Sequence, residues 1–495
     1  MKLRPVRTAP LESPARRLAS ELRQQIEAGR WSPGTRMDSL RALAGQSGLS
    51  RHAVLAAYEE LVGLGLLEPR HGSGFYLAGK ALAVPPRSTP SLDRLLDAAM
   101  LIRGFLEPST LLKCGSGSLP KDWLLDIGLH RHLRAVAGQP GSNLHDYGTA
   151  LGFPPLREAL QRRLERRNIR CGCDQIVLTN GISHGLELVL RALCRLGDLV
   201  FVEQPAYYNL FGLLELAGLA SRGIRRTGEG PDLDVLEARL RQGERPRLFI
   251  LQSLLHNPTG TSLGPAAAHR ILLLAEQYDF LVVEDDAYGD LAEEQDLRLA
   301  SLDLRRVVYL SGFTKTLSAS LRVGYAVAEP VLAEALSRVK LLTSISSSEF
   351  IERVVYHTLT EGGYDRFTER LRRRLAAAQA AEEAELQKAG WQVFPGARRG
   401  MFVWARHPRW EDSVPLAKAA ASAGFWLAPG SAFDPEHRPS PWVRFNVAYR
   451  SPALSAWLKS PGQGLAPEPL THDGKPPRSG NRPGTAAGSL RAGAD

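Results

Sequence analysis

The sequence predicts a multi-domain protein of mixed α and α/β class. A small N-terminal unit of three helices and a β-hairpin precedes a large α/β domain with a mostly parallel central sheet and a smaller α+β C-terminal subdomain. Three observations carry that expectation. The first 80 residues hold three short apolar patterns at helical spacing, then two short strand patterns around a glycine turn. From about residue 110 to 330, short Val/Ile/Leu runs alternate with helical patterns, as parallel strands covered on both faces require. Two stretches without apolar periodicity separate these pieces: an Ala/Pro-rich segment after residue 78 and a C-terminus with 7 Gly and 6 Pro in its last 35 residues. The expected division is a domain over 1–78, a semi-extended linker over 79–106, a domain over 107–458 whose small subdomain starts near 360, and a disordered tail over 459–495.

Charge narrows the class of partner. The net charge is +10, and residues 1–80 hold 12 Lys and Arg against 7 Asp and Glu, so half of the excess sits in the N-terminal piece. That distribution fits a nucleic-acid partner. No uninterrupted apolar stretch reaches the ~18 residues of a membrane span. Lys2, Arg4 and Arg7 are not followed by the apolar core of a secretory signal, so the expected location is cytoplasmic. Cys114, Cys171, Cys173 and Cys194 are too few and irregular for a disulfide framework. Cys171-Gly-Cys173 lacks a second pair or a nearby His, so no metal site is expected.

In the N-terminal unit, Leu18, Leu22 and Ile26 define a helix between Pro14 and Gly29. Trp31–Arg36 is a turn, Ser39–Ala44 a second short helix, and Ser50 a good N-cap for a third with Val54, Leu55, Tyr58, Leu61 and Val62 on its apolar side. Leu66–Arg70 and Gly74–Leu77 flank the glycine turn. Three helices followed by a hairpin form a winged helix-turn-helix. Its third helix starts Ser50-Arg51-His52, at the end that meets base edges and phosphates of double-stranded DNA. Arg41, Ser50, Arg51 and His52, with His71, Gly72 and Ser73 in the wing, are the expected DNA-binding residues. Pro33-Gly34, Ser39–Arg41, Ser50–Val54 and Gly72–Phe75 together resemble the GntR-type DNA-binding domain. Asp38 stands where that family usually has proline, and His52-Ala53 replaces its usual x-Thr.

In the large domain, the expected strands are Ile176–Leu178, Leu199–Val202, Arg247–Leu251, Phe280–Glu284 and Val307–Leu310. Ligands of such sheets sit beyond the carboxyl ends of the strands. The first strand is followed by Thr179–Gly185, a glycine and hydroxyl turn opening a helix, which can present N–H groups to an anion. The next ends supply Tyr207, an aromatic able to stack on a flat ring; Asn257 in His-Asn-Pro-Thr-Gly; Asp285 with Tyr288; and Lys315. A lysine partly desolvated off a strand end becomes a neutral amine able to form a Schiff base. The hydroxyls around it and Arg322, seven residues on, are what a phosphate needs. Together these point to pyridoxal phosphate (PLP). The small subdomain is expected from a helix over Arg372–Leu386 and strands at Gly400–Trp404, Phe425–Gly430 and Trp442–Ala448.

Asn-Pro-Thr-Gly, Asp-x-x-Tyr and Lys-x(6)-Arg, in this order, resemble the fold-type I, aspartate-aminotransferase-like PLP enzymes over roughly 110–450. That resemblance implies Lys315 as the Schiff-base lysine and Asp285 as the partner of the pyridine nitrogen. It gives Asn257 and Tyr288 to the ring's O3′, and Tyr207 to its face. Arg322, Thr314 or Ser311, Ser183 and the amide near Ile182 would hold the phosphate. Tyr147 matches the tyrosine that reaches a second subunit's cofactor, implying a homodimer, and Arg444 matches the arginine that binds a ligand's α-carboxylate. Relatives often carry a hydroxyl where Gly312 stands, and Ser311 is the substitute. Joined to a GntR-type reader, this domain resembles the MocR subfamily of transcription regulators. The implied function is a PLP-binding and DNA-binding regulator sensing an amino compound or PLP itself; the alternative is a working aminotransferase that also binds DNA.

Overall fold

The computed structural model describes residues 14–27, 30–32, 34–70, 73–78, 110–138, 145–361, 363–396 and 399–462. The linker over 79–106, wing residues His71 and Gly72, and the tail beyond 462 lie outside the described residues. The chain divides into two units, Met1–Ser91 and Leu92–Asp495.

In the first unit, α1 (Pro14–Glu27), α2 (Leu40–Ser47) and α3 (Arg51–Gly63) precede β1 (Leu67–Arg70) and β2 (Gly74–Leu77). Ser39 and Ser50 cap α2 and α3, their hydroxyls accepting from Ala42 and Ala53 N–H at 3.2 Å each. Val54, Ala57, Tyr58 and Leu61 of α3 are fully buried in a core shared with Leu18, Leu22 and Leu43. Burying a large apolar side chain contributes about 1.5–3 kcal/mol. The Tyr58 hydroxyl donates to Asp38 O at 2.9 Å, which satisfies the phenol and ties α3 to the entry of α2. β1 and β2 pair antiparallel, and Arg36 bridges to Tyr76 on the hairpin's other side.

The second unit is built on an eight-stranded sheet of order β3-β10-β9-β8-β7-β4-β5-β6. The strands are β3 (Ile176–Thr179), β4 (Leu199–Gln204), β5 (Ala220–Thr227), β6 (Gly230–Pro231), β7 (Leu248–Leu251), β8 (Leu281–Asp286), β9 (Val307–Gly312) and β10 (Gly324–Val327). The pairings from β9 through β8, β7 and β4 to β5 are parallel. Every residue of β3, β7 and β9 is buried, which is why these strands read as unbroken apolar runs. β5 was not anticipated: it carries Arg222, Arg225 and Arg226 and lies near the sheet's edge. β10 runs antiparallel to both β3 and β9, so Arg322, just before its start, stands at the same edge as residues just after β9. Helix α4 (Ile182–Leu193) follows β3 directly.

A second, antiparallel sheet has order β11-β12-β14-β13, with β11 (Gln392–Val393), β12 (Phe402–Arg406), β13 (Ala428–Pro429) and β14 (Trp442–Asn446). The helix expected over 372–386 begins earlier, at Tyr364, and runs to Lys388. Tyr364 is fully buried and its hydroxyl meets Asp290 and Thr316. Among the described residues no helix is long and apolar enough to cross a membrane, and no cluster of three or more His, Cys, Asp or Glu could hold a metal ion.

Candidate functional site

The carboxyl edge of the large sheet surrounds a cavity of about 440 Å³. It collects Ile182 and Ser183 after β3, Tyr207 after β4, Asn257 after β7, Asp285 from the end of β8 and Tyr288 just after it, Thr314 and Lys315 after β9, and Arg322 before β10. Residues separated by more than a hundred positions meet here because each ends or begins a neighbouring strand.

Lys315 Nζ donates to Gly117 O at 2.7 Å and stands 5.9 Å from the Tyr288 ring centroid. Burial pushes its ammonium down to about 8; Arg444 and Arg322 push the same way, and Asp285 opposes them. Asp285 is pushed up to about 7, first by burial and then by the charge of Asp286. The N–H of Ala287 and the amide of Gln252, each at 3.1 Å from a carboxylate oxygen, oppose that rise. Alternation along β8 separates the roles of three consecutive acids. Asp285 lines the cavity, whereas Glu284 accepts from Ser253, Leu299 N–H and Ala300 N–H, and Asp286 accepts from Arg298 and Tyr309. The phenols of Tyr207 and Tyr288 are both driven upward by burial and stay neutral.

At the other end of the cavity, Gly181 opens α4 at φ 80, a conformation that favours glycine. A Cβ built on it would lie 2.6 Å from Arg322 Nη2, so the guanidinium packs onto bare backbone. Arg322 donates to Asn180 O at 3.3 Å and approaches Thr314 Oγ1 at 3.4 Å. Its own φ is 51, a left-handed conformation that costs a residue with a Cβ about 1–2 kcal/mol. The cradle therefore gathers an exposed arginine, two hydroxyls and the first N–H groups of a helix, a donor set that fits a phosphate. With an amine of lowered basicity and a buried carboxylate at the far side, the cavity fits PLP.

Arg444, on β14, is fully buried and has no acidic partner among the described residues. Its Nε and Nη2 both donate to Gly115 O, at 3.1 and 2.6 Å, and Nη1 donates to Asn257 Oδ1 at 2.7 Å. Phe402 and Phe433 flank the guanidinium, each ring centroid 4.8 Å away. Gly115 is required by close approach: a Cβ there would lie 2.4 Å from Ala428 N.

Two expected residues are not brought to this cavity. Ser311 sits inside β9 with its hydroxyl donating to Asp286 O at 3.0 Å, because residues of a strand alternate between faces and Ser311 is turned away from Lys315's side. Tyr147 is 79% exposed and lines no part of its own chain's cavity. Residues that sequence reasoning missed include Gln252, which bridges Asp285 and Asn257, and the Gly115–Ser118 segment over Arg444 and Lys315. No local pattern marks a backbone carbonyl that will reach across the chain.

On the N-terminal unit, Arg41, Arg51 and His52 are exposed and have no acidic partner among the described residues. The Ser50 hydroxyl is also exposed but already accepts the capping bond. In the wing, Ser73 Oγ lies 2.6 Å from the Tyr76 hydroxyl, over whose ring Arg70 stacks at 4.3 Å.

A capped helix with free basic groups at its N-terminus, and a cavity built for PLP, define a DNA-binding protein with an aminotransferase-type domain. Comparison with known proteins agrees. Residues 14–77 match the gntR family of bacterial regulatory proteins, and residues 115–456 match aminotransferase class I and II. The chain is 31% identical over 445 residues to the uncharacterized HTH-type transcriptional regulator YdcR of Escherichia coli (strain K12), covering 88% of this chain and 94% of that one. It is 27% identical over 442 residues to the probable rhizopine catabolism regulatory protein MocR of Rhizobium meliloti, covering 84% and 86%. Among solved structures, LysN, an α-aminoadipate aminotransferase of Thermus thermophilus complexed with N-(5′-phosphopyridoxyl)-L-leucine, is similar with a TM-score of 0.66 at 25% identity, over 74% of this chain and 96% of that one. The chain belongs to the MocR subfamily of GntR-type transcriptional regulators. Its cofactor is PLP.

Proposed function

We propose that this regulator senses a small amino compound carrying a carboxylate, bound at the PLP cavity, and that it works as a cytoplasmic homodimer. One observation carries the reading. The two cations that an amino acid would engage, Lys315 and Arg444, are both held by backbone carbonyls of a single short segment, Gly117 O and Gly115 O. A buried guanidinium without an acid is costly unless its fork meets an anion in the working state.

Lys315 would take the cofactor covalently, and its lowered basicity keeps a useful fraction of the amine neutral. Asp285 would face the ring nitrogen, Asn257 and Tyr288 the ring oxygen, and Tyr207 the ring face. Ile182 N–H, Ser183, Thr314 and Arg322 would hold the phosphate, and Ser311 would act indirectly, by bracing β9 against β8. When bound, PLP supplies an aldehyde that condenses reversibly with amines and an electron-poor ring. Arg444 would exchange its bonds to Gly115 O for a ligand carboxylate, a stronger charge-assisted pairing. The homodimer is supported by an exposed apolar group: Tyr147 precedes Gly148, whose built Cβ is 3.2 Å from Ser347 O, and the helix Pro330–Ser344 and the turn that joins it to Ser347 carry exposed Leu342 and Ile345 respectively. Arg41, Ser50, Arg51 and His52, with His71, Gly72 and Ser73, form the DNA-binding face.

The lowered basicity of Lys315 also suits a proton carrier, which favours a working aminotransferase as the second reading. The test is to mix PLP-loaded protein with a panel of amino acids and 2-oxo acids, following both absorbance and product. A ligand that shifts the spectrum and alters operator affinity without sustained product supports sensing. Sustained product, with operator affinity unchanged by every spectrally active ligand, would overturn it.

A further inference from the structure

Gln252 belongs to no motif, yet three hydrogen bonds place it between the groups that face the ring. Its backbone N–H donates to Glu203 Oε2 at 2.8 Å. Its side-chain oxygen accepts from Asn257 N–H at 2.8 Å, and its side-chain NH2 donates to Asp285 Oδ2 at 3.1 Å. Chemistry fixes the orientation of the amide. A backbone N–H can only donate, so the Gln252 oxygen must face Asn257 and the NH2 must face Asp285. Arg226 Nη1 donates to Gln252 O at 3.1 Å, so the residue is clamped through both its backbone groups. With Ala287 N–H on Oδ1, each oxygen of Asp285 receives a donor that cannot take a proton from it.

We infer that Gln252 is a positioning residue for the cofactor: it holds Asp285 as an accepting carboxylate turned toward the ring nitrogen, and locks Asp285 and Asn257 at one spacing. This rests on the reading of Asp285 as the partner of that nitrogen. A buried carboxylate beside a second acid tends to take up a proton, and a neutral carboxyl cannot keep a ring nitrogen protonated. The Gln252 donor acts against that tendency. Through Asn257 Oδ1, which accepts from Arg444, the same bonds run on to the carboxylate fork, so ring and carboxylate sites share one frame.

Gln252→Met leaves the other charged and titratable groups around Asp285 in place. Asp286 and Tyr288 face it from its own strand end, Tyr207 from the turn after β4, Lys315 and Arg322 from either side of the β9–β10 turn, and Arg444 from β14. Glu203, Arg226 and His256 stand behind Gln252.

The experiment uses the full chain loaded with PLP. Gln252→Met keeps the length of the side chain and removes its donor. The pH midpoint at which the bound cofactor's absorbance bands interconvert is expected to rise by about one pH unit. The direction follows because a protonated ring nitrogen withdraws electrons and eases loss of the neighbouring proton; weakening it retains that proton to higher pH. With a cofactor analogue carrying carbon in place of the ring nitrogen, wild type and Gln252→Met should titrate alike. An unmoved midpoint with PLP, or the same shift with the analogue, overturns the inference. Asp285→Asn separates the two levels. If it too leaves the midpoint unmoved, the reading of Asp285 fails; if it alone moves the midpoint, only the role of Gln252 fails. Should Gln252→Met not fold, Gln252→Ser leaves room for water and should give a smaller shift in the same direction, and no shift there overturns the inference as well.

Discussion

Arg51 and Arg444 meet anions by opposite physical routes. Arg51 is exposed at the first turn of α3, with no acidic partner among the described residues. Arg444 is fully buried between two phenylalanine rings, and all its described bonds go to oxygens that carry no full charge. An exposed cation gains affinity for a polyanion by releasing counterions, so its contribution is modest, additive and salt-dependent. A buried cation has already lost its water, so the right carboxylate recovers a large interaction and the wrong ligand recovers none. The N-terminal unit thus suits a long, uniform ligand, and the cavity a small one of defined shape.

The largest expected effect lies in the cavity. Lys315→Ala should shift the absorbance band of the PLP-loaded protein from that of a Schiff base to that of the free aldehyde, while leaving DNA affinity measurable; an unshifted band would end the assignment of Lys315. In the wild type, the rate of cofactor capture should climb with pH and level off above about 8, since only the neutral amine reacts and burial brings its titration down to that value. At pH 7 about one lysine in ten would be neutral, against about one in three thousand at an ordinary basicity. A flat rate across that window would mean that Lys315 keeps ordinary basicity.

Next in size is Arg444→Leu. The amino-acid concentration that half-shifts the cofactor spectrum should rise about 100-fold or more, as when one member of a buried charge pair is lost. A simple amine without a carboxylate should shift it equally in variant and wild type, which separates lost recognition from lost folding. Arg444→Lys should recover only part of the loss, because an ammonium cannot reproduce the planar fork. Equal losses for both ligands would erase the contrast with Arg51.

The two regions also differ in how much of them the sequence made legible. Apolar periodicity and serine caps are local, so α1 to α3 and the hairpin could be read from neighbouring residues. Apart from β5, whose three arginines break the pattern, the parallel strands were legible because burial on both faces leaves apolar runs, and polar residues at their ends marked Asp285, Asn257 and Lys315. Legibility stopped where contact depends on distant backbone. Gln252 sits in an unremarkable turn, and its importance comes from which strand ends flank it. Gly115 and Gly117 reach Arg444 and Lys315 across 329 and 198 positions of the chain. Ser311 was misjudged as a cavity residue because a hydroxyl near the lysine was counted by distance along the chain, not by the face of the strand it occupies.

A smaller effect is expected from Arg51→Ala. Operator binding should weaken, and the plot of log affinity against log salt should become shallower by about one unit, the signature of one lost phosphate contact. If affinity falls by the same factor at every salt concentration, Arg51 reads a base edge and belongs with Arg444 among the shape-defined contacts.

The smallest effect separates scaffold from contact within α3 itself. Ser50 and Ser39 are matched caps, each accepting from the N–H three residues on at 3.2 Å. Ser50→Ala and Ser39→Ala should therefore each destabilise the N-terminal unit by about 1 kcal/mol, read as similar drops in its unfolding midpoint. Both hydroxyls keep an O–H donor after capping, but only Ser50 opens the helix that carries Arg51 and His52. Its donor can still meet a phosphate. Measured well below the unfolding transition, Ser50→Ala should weaken operator binding about five-fold beyond Ser39→Ala, the worth of one ordinary hydrogen bond. Equal affinities for the two variants would make Ser50 a cap alone, and leave Arg51 and His52 as the working end of the helix.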